Sequence, residues 1–334
     1  MYNPKAPFFR RSASSEMMEL DRLIALLPAA ALAVLLCGFR SVFLMLSAAA
    51  GGALAALLFS AVRGRPRFRL RPVAEGIVFA FVCPLSVPLW LAALGAVVAA
   101  AVAELFALFG RRCFFSPAAF AWLFFLALSP AVMTTFPTPS ALRGMESFLT
   151  PSDFPVGESV LYELKTGYLP NVSAADLLLG RVAGGFGGAS VLAAAVAFLY
   201  LAVRKSAAWV VPLSLAFSLF LGTLLFGRIA APVPLLFLMQ LSGGSLLFAA
   251  VFMAGGVGAP STRALRIFCG FFCGLLILLL RFLRFEEFAV PFAVLSLQLL
   301  CNLAERRVSR RIGRRKILRM KEGDGVCQNT GWPT

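Results

Sequence analysis

Long apolar runs dominate the chain, separated by short polar or basic connectors. Ten can be marked, at about residues 22–39, 41–62, 73–88, 89–109, 117–135, 176–203, 208–226, 231–255, 264–281 and 288–304. Most lie near the ~20 residues a helix needs to cross a bilayer core. The pattern therefore predicts an all-α, polytopic membrane protein of about ten transmembrane helices, some of them broken. The third run is short and carries Pro84 and Pro88, and the eighth is interrupted by Ser242-Gly243-Gly244 and followed by Gly255-Gly256. Backbone freed by such breaks is tolerated at membrane depth only where protein, water or a ligand satisfies it. Paired broken segments mark the binding sites of many transporters, but proline kinks and close glycine packing leave the same trace. The run Gly184-Gly185-Phe186-Gly187-Gly188 is expected inside the sixth helix, where small residues allow close packing.

Composition agrees. Of 334 residues, 60% are hydrophobic and 14% charged, against roughly 45–50% and 25% for an average soluble domain. The net charge of +16 would point to nucleic acid in a soluble protein. Here lysine and arginine first fix orientation, because they stay on the cytoplasmic side. With both termini inside, 24 of the 31 basic residues fall in cytoplasmic segments. The other seven are Arg40, Arg143, Lys165, Arg181, Arg228, Arg281 and Arg284. The chain then divides into a cytoplasmic arm (1–21), five spans (22–135), an outer loop (136–175), five spans (176–304) and a basic cytoplasmic tail (305–334). Nine basic residues between Arg306 and Lys321 suit an anionic lipid surface and require no nucleic-acid partner.

Histidine is absent, which removes histidine-ligated haem, histidine metal sites and histidine general bases. The seven cysteines read as small hydrophobes of a membrane core, although Cys269 and Cys273 share a helix face and could form half of a cluster or metal site. Glu104, late in the fourth span, is either an ion-path carboxylate or a helix-end partner of Arg111 and Arg112. Asp21 and Glu75 fall near cytoplasmic helix ends. The 40-residue outer loop is too long for a connector and contains an amphipathic piece around Val160–Thr166. No phosphate-binding glycine motif, paired CxxC or nucleophilic triad is present. From the residues alone, a transporter, a redox subunit and an assembly scaffold all remain open.

Several stretches, in order, resemble one family. Leu20-Asp21-Arg22-Leu23-Ile24-Ala25-Leu26-Leu27-Pro28 is similar to its first helix. Phe115-Ser116-Pro117-Ala118 with Ser129-Pro130 and Met133-Thr134-Thr135 resembles its F-N-P-A…F-P…M-T-[ST] run. Leu241-Ser242-Gly243-Gly244 resembles L-S-G-A, and Arg266, Gly270 and Gly274 fit the next helix. The family resembled is RnfD, the D-type membrane component of the Rnf complex, an ion-translocating ferredoxin:NAD⁺ oxidoreductase. That component is related in turn to NqrB of the sodium-translocating NADH:quinone reductase. The resemblance implies a multi-pass subunit of the bacterial inner membrane, partnered by the other Rnf-type subunits and moving Na⁺ or H⁺.

It also implies a cofactor. In the family, D-x-x-[ST]-G-A-[ST] followed by a hydrophobic stretch ending in L-K receives FMN as a phosphoester from a flavin transferase. Here Asp153-Phe154-Pro155-Val156-Gly157-Glu158-Ser159, then Leu161 and Leu164-Lys165, stand in register. The likeness assigns Ser159 as the covalent FMN acceptor and Asp153, Gly157 and Lys165 as supporting residues; a second, non-covalent flavin would also belong to such a subunit. Val156, Glu158 and Ser159 replace the usual Ser/Thr, Ala and Thr, and Gly255-Gly256 replaces an Asp-Pro pair. A flavin-free scaffold or transporter-like protein on the same helices is the alternative.

Overall fold

The computed structural model describes residues 15–64, 69–108, 113–138, 157, 159–166, 169–226, 232–256, 259–283 and 288–307. The described residues are mostly helical, with an isolated bridge at Pro137 and no longer strand. The first helices are α1 (Ser15–Cys37), α2 (Phe39–Val62), α3 (Leu70–Val82), α4 (Leu89–Leu108), α5 (Pro117–Leu128) and α6 (Pro130–Met133). The long loop contributes α7 (Val160–Thr166), and α8 (Ala174–Leu179) closes it. Then come α9 (Val191–Val203), α10 (Val210–Phe226), α11 (Val233–Ser242), α12 (Leu246–Ala249), α13 (Arg263–Phe282) and a last helix, α14, over residues 289–307.

Glu16–Cys37, α2, α4 and α13 are each long and apolar enough to cross a membrane, and α11 with the segment Leu246–Ala254 makes a fifth span if the bend of 62° between them is counted as a break. Shorter apolar helices α5, α9 and α10 accompany them. Leu35, Leu57, Leu199, Phe217 and Leu225 stand more than half exposed on the outside of the bundle. An aqueous protein of this size does not leave such a band of large side chains bare. The chain is a multi-pass, all-α membrane protein.

Packing follows from small residues. α2 lies against α3 and α4, and α10 against α13, while α1 meets α9 to join the two sets. A Cβ on Gly51 would run into the backbone of Ala93, one on Gly95 into the ring of Phe79, and one on Gly274 into Ser218. Such bare positions let helices touch through backbone, the contact that packs helices in lipid. Between the two sets, Phe81 stacks on Phe186 with centroids 5.3 Å apart and meets Phe248 at 5.5 Å.

The sixth predicted run, 176–203, is not one helix. Ser173 caps α8, its Oγ accepting from Asp176 N at 3.2 Å, and Gly180 ends it with φ 83°. Residues 181–190 are irregular, and α9 restarts behind Ser190, whose Oγ accepts from Ala193 N. Gly184–Gly188 therefore lie outside any helix. Apolar composition hid this, because alanine, glycine and phenylalanine read alike in helix and in buried loop. The fifth run is likewise split at Ser129-Pro130 into α5 and α6.

Candidate functional site

Ser159 is the N-cap of α7. Its Oγ accepts from Tyr162 N at 3.3 Å and its carbonyl accepts from Tyr162 N and Glu163 N at 2.8 and 3.2 Å. Capping leaves the residue half-buried at the start of the helix. Gly157 precedes it in a notch: its N–H donates to Phe136 O at 3.0 Å, and a Cβ there would lie 2.5 Å from Thr138 Cγ2 and 3.1 Å from Ala183 Cβ. The predicted glycine is thus required by close approach of chain to chain. Lys165 lies near the end of α7; nothing is described of its side chain. Asp153, Val156 and Glu158 lie outside the described residues.

The apolar side of α7 faces the bundle. Val160 is buried with Leu177, Val182, Leu236 and Met239. Leu161, 4% exposed, sits over Gly243, where α11 ends. Here the backbone passes through a 3₁₀ turn (Gly243–Ser245), α12 and a π turn (Ala250–Ala254). The freed carbonyls find a buried cation: Arg281 Nη1 donates to Gln240 O at 3.0 Å, and Nη2 to Gly243 O at 2.8 Å. Ser245 holds a left-handed backbone, φ 55°, with its hydroxyl buried and without a hydrogen-bond partner. Gly185 and Gly188 leave room for it; a Cβ on either would come within 2.7 Å of its Oγ.

A second break follows α3. The chain turns through Cys83-Pro84-Leu85-Ser86-Val87-Pro88, and Arg40 donates from Nε to Leu85 O at 2.8 Å and from Nη2 to Val87 O at 3.2 Å. Both arginines belong to the seven counted as outer-loop charges; both are in fact turned inward. Their proximity to helix ends and to Pro or Gly breaks was the signal available.

At the opposite end of the bundle, Arg22 is buried between Glu19 at 2.8 Å and Glu75 at 3.0 Å, and donates to Phe252 O at 3.1 Å on the π turn. Asp21 accepts from Ser206 Oγ and, at 3.1 Å, from Arg204 Nε. That hydrogen bond holds the Arg204 guanidinium above its ordinary range. Glu104 pairs with Arg63 at 2.5 Å and Arg69 at 3.6 Å. The expected partners Arg111 and Arg112 lie outside the described residues; the pairing seen comes from elements adjacent in space rather than in sequence. Gln298 and Asn302 on α14 were not singled out by sequence, yet both bind backbone of other elements, Met253 O and Phe114 O, each at 2.7 Å. Among the described residues, no group of three or more Cys, Asp or Glu could hold a metal ion.

This arrangement, a helix bundle with arginine-capped breaks and a loop helix seated on one of them, is that of a multi-pass, all-α membrane protein. The chain belongs to the NQR2, RnfD, RnfE family, whose description matches residues 3–313. It is 28% identical over 322 residues to the D-type component of an ion-translocating oxidoreductase complex from Stutzerimonas stutzeri, covering 88% of this chain and 90% of that protein. It is 26% identical over 316 residues to the D-type component of the Na(+)-translocating ferredoxin:NAD(+) oxidoreductase complex from Acetobacterium woodii, covering 92% and 93%.

Proposed function

We propose that the chain is the D-type membrane subunit of an Rnf-like electron-transport complex in the bacterial inner membrane, with FMN attached covalently to Ser159. The loop 136–175 lies on the outer face and both termini are cytoplasmic. The observation that carries the reading is the acceptor turn: a half-buried serine caps α7, two residues after a glycine that a neighbouring segment keeps bare. Relatives similar along nearly the whole chain are named as D-type components of ion-translocating oxidoreductase complexes.

Attachment is a phosphoryl transfer. Ser159 Oγ would be the nucleophile toward the FMN phosphorus of FAD held by a flavin transferase, a new P–O ester bond replacing the pyrophosphate P–O bond, with AMP as the leaving group and the serine proton passing to the transferase or solvent. In sequence Asp153 and Lys165 stand on either side of the acceptor, and the carboxylate of Glu158, its sequence neighbour, would repel the donor pyrophosphate. Once attached, the flavin supplies reversible electron transfer, while the protein fixes where it stands. A second, non-covalent flavin, the other complex subunits, and anionic lipid at the basic tail complete the assembly. Translocation of Na⁺ or H⁺ belongs to the complex as a whole.

The substitutions Val156 and Glu158 favour a second reading, a flavin-free scaffold on the same bundle. Co-expression with a flavin transferase separates the two. The denatured band should fluoresce under ultraviolet light, Ser159→Ala should abolish that, Glu158→Ala should strengthen it, and the 144–165 peptide should carry an FMN-sized mass on Ser159. An unmodified peptide in the presence of active transferase would leave the scaffold reading.

A further inference from the structure

The acceptor helix meets the transmembrane bundle through a fitted contact. Leu161 lies two residues after Ser159, and its isobutyl group rests on the bare backbone of Gly243. A Cβ on Gly243 would fall 2.5 Å from Leu161 Cγ and 2.8 Å from each Cδ. Gly243 is also the point at which α11 stops, and its carbonyl is held by Arg281. Two residues on, Ser245 keeps its left-handed backbone and unpaired buried hydroxyl. Acceptor, leucine, break and arginine therefore form one continuous series of contacts. The remaining anchors of this region, Val160 among Leu177 and Met239 and Gly157 against Thr138 and Ala183, hold the loop layer to itself and to α11.

Resting on the reading of Ser159 as the FMN acceptor, we propose that Leu161 and Gly243 are positioning residues for that flavin. The leucine, seated where Gly243 has no side chain, sets the height of Ser159 above the bundle and ties it to the conformation of the broken span. A helix as short as α7 does not hold itself in place by its own hydrogen bonds; tertiary seating must do so. Electron transfer and phosphoryl transfer both depend on where the flavin phosphate stands, so the seat governs how fast Ser159 is loaded and the potential at which its flavin works.

The test is a complementary pair of substitutions in the assembled complex. Gly243→Ala puts a methyl group into the space of Leu161 and lifts α7; Gly243→Ala with Leu161→Ala returns that space. With Ser159 intact, initial FMN loading by the transferase should fall roughly 10- to 100-fold in Gly243→Ala, since an ångström-scale displacement of reacting groups can cost about 100-fold in rate. It should recover in the double variant, and the flavin midpoint potential should shift and return in parallel. In a Ser159→Cys background, the rate of maleimide labelling should move with Gly243→Ala and revert in the double variant. Loading, potential and labelling unchanged in an assembled Gly243→Ala complex would overturn the proposal, as would losses that simply add in the double variant. If Gly243→Ala does not assemble, Leu161→Ala alone decides: altered labelling supports the seat and unaltered labelling overturns it. Labelling requires no flavin. If the chain with Ser159 intact never loads FMN while its Ser159→Cys variants show the labelling pattern, the acceptor reading falls and the seated contact stands.

Discussion

Two of the breaks in the bundle meet one physical demand with one kind of side chain. After α3, the carbonyls of Leu85 and Val87 are taken by Arg40 from the start of α2. After α11, those of Gln240 and Gly243 are taken by Arg281 from the end of α13. A guanidinium offers several donors in a rigid fork, so one residue can serve two carbonyls at once. Their surroundings differ. The first break is bounded by Pro84 and Pro88, its Cys83, Leu85 and Val87 are buried, and Cys83 has an ordinary extended backbone, φ −70°. The second contains a left-handed serine, a 3₁₀ turn and a π turn, and it bears the loop helix α7. A left-handed non-glycine residue costs about 1–2 kcal/mol. The first break is a fixed corner, and the second is a strained joint with something attached to it. Two interruptions that look equivalent in a hydropathy trace are thus built for different work.

Removing the arginines probes this hardest. Arg40→Ala and Arg281→Ala each strand two buried carbonyls, at about 1–3 kcal/mol per unsatisfied group. Both should lower the thermal denaturation temperature of the complex in detergent, but only Arg281→Ala should also change maleimide labelling of Ser159→Cys. Equal labelling in the two variants would erase the distinction between the breaks.

Next come the crossings beside each break. Gly51→Ala forces a methyl group against the Ala93 backbone, and Gly274→Ala forces one against the Ser218 side chain. Each overpacked crossing should lose about 1–3 kcal/mol. Ser218→Ala should rescue much of the second in melting experiments, whereas the first has no side chain to trim. The smallest effect sharpens the comparison most. Ser245→Gly removes the left-handed penalty and the unpaired hydroxyl and should stabilise by about 1 kcal/mol. Cys83→Gly, at the unstrained break, should only destabilise.

Membrane class and the two interruptions were legible because apolar run length, proline and glycine speak directly about helices. The bounds of α7 were legible as well, since Val160–Thr166 mixes apolar and polar positions as a short surface helix does. The inward turn of Arg40 and Arg281 was not: charge counting assigns an arginine near a helix end to the loop, and its partners lie 38 to 47 residues away. Glu104 shows the same limit, since its partners Arg63 and Arg69 arrive on neighbouring elements. For the candidate site, register marked Gly157 and Ser159, but Gly243 as the seat of Leu161 is a fact of three-dimensional packing that linear spacing does not contain.

One contact on the last helix bears on how the protein comes into being. Gln298 accepts from Ser116 N with its amide oxygen and donates to Met253 O with its amide nitrogen, each at 2.7 Å. Ser116 begins α5 and Met253 lies on the π turn, so a single neutral side chain clasps backbone from both sets of helices. Ribosomes deliver the clasp late. Ser116 precedes Gln298 by 182 residues, which at about 5–20 residues per second leaves its N–H waiting roughly 10–40 s. Through that interval the nascent bundle must keep these groups wet or borrowed by other partners, and the arrival of α14 converts two separately inserted sets of helices into one closed unit.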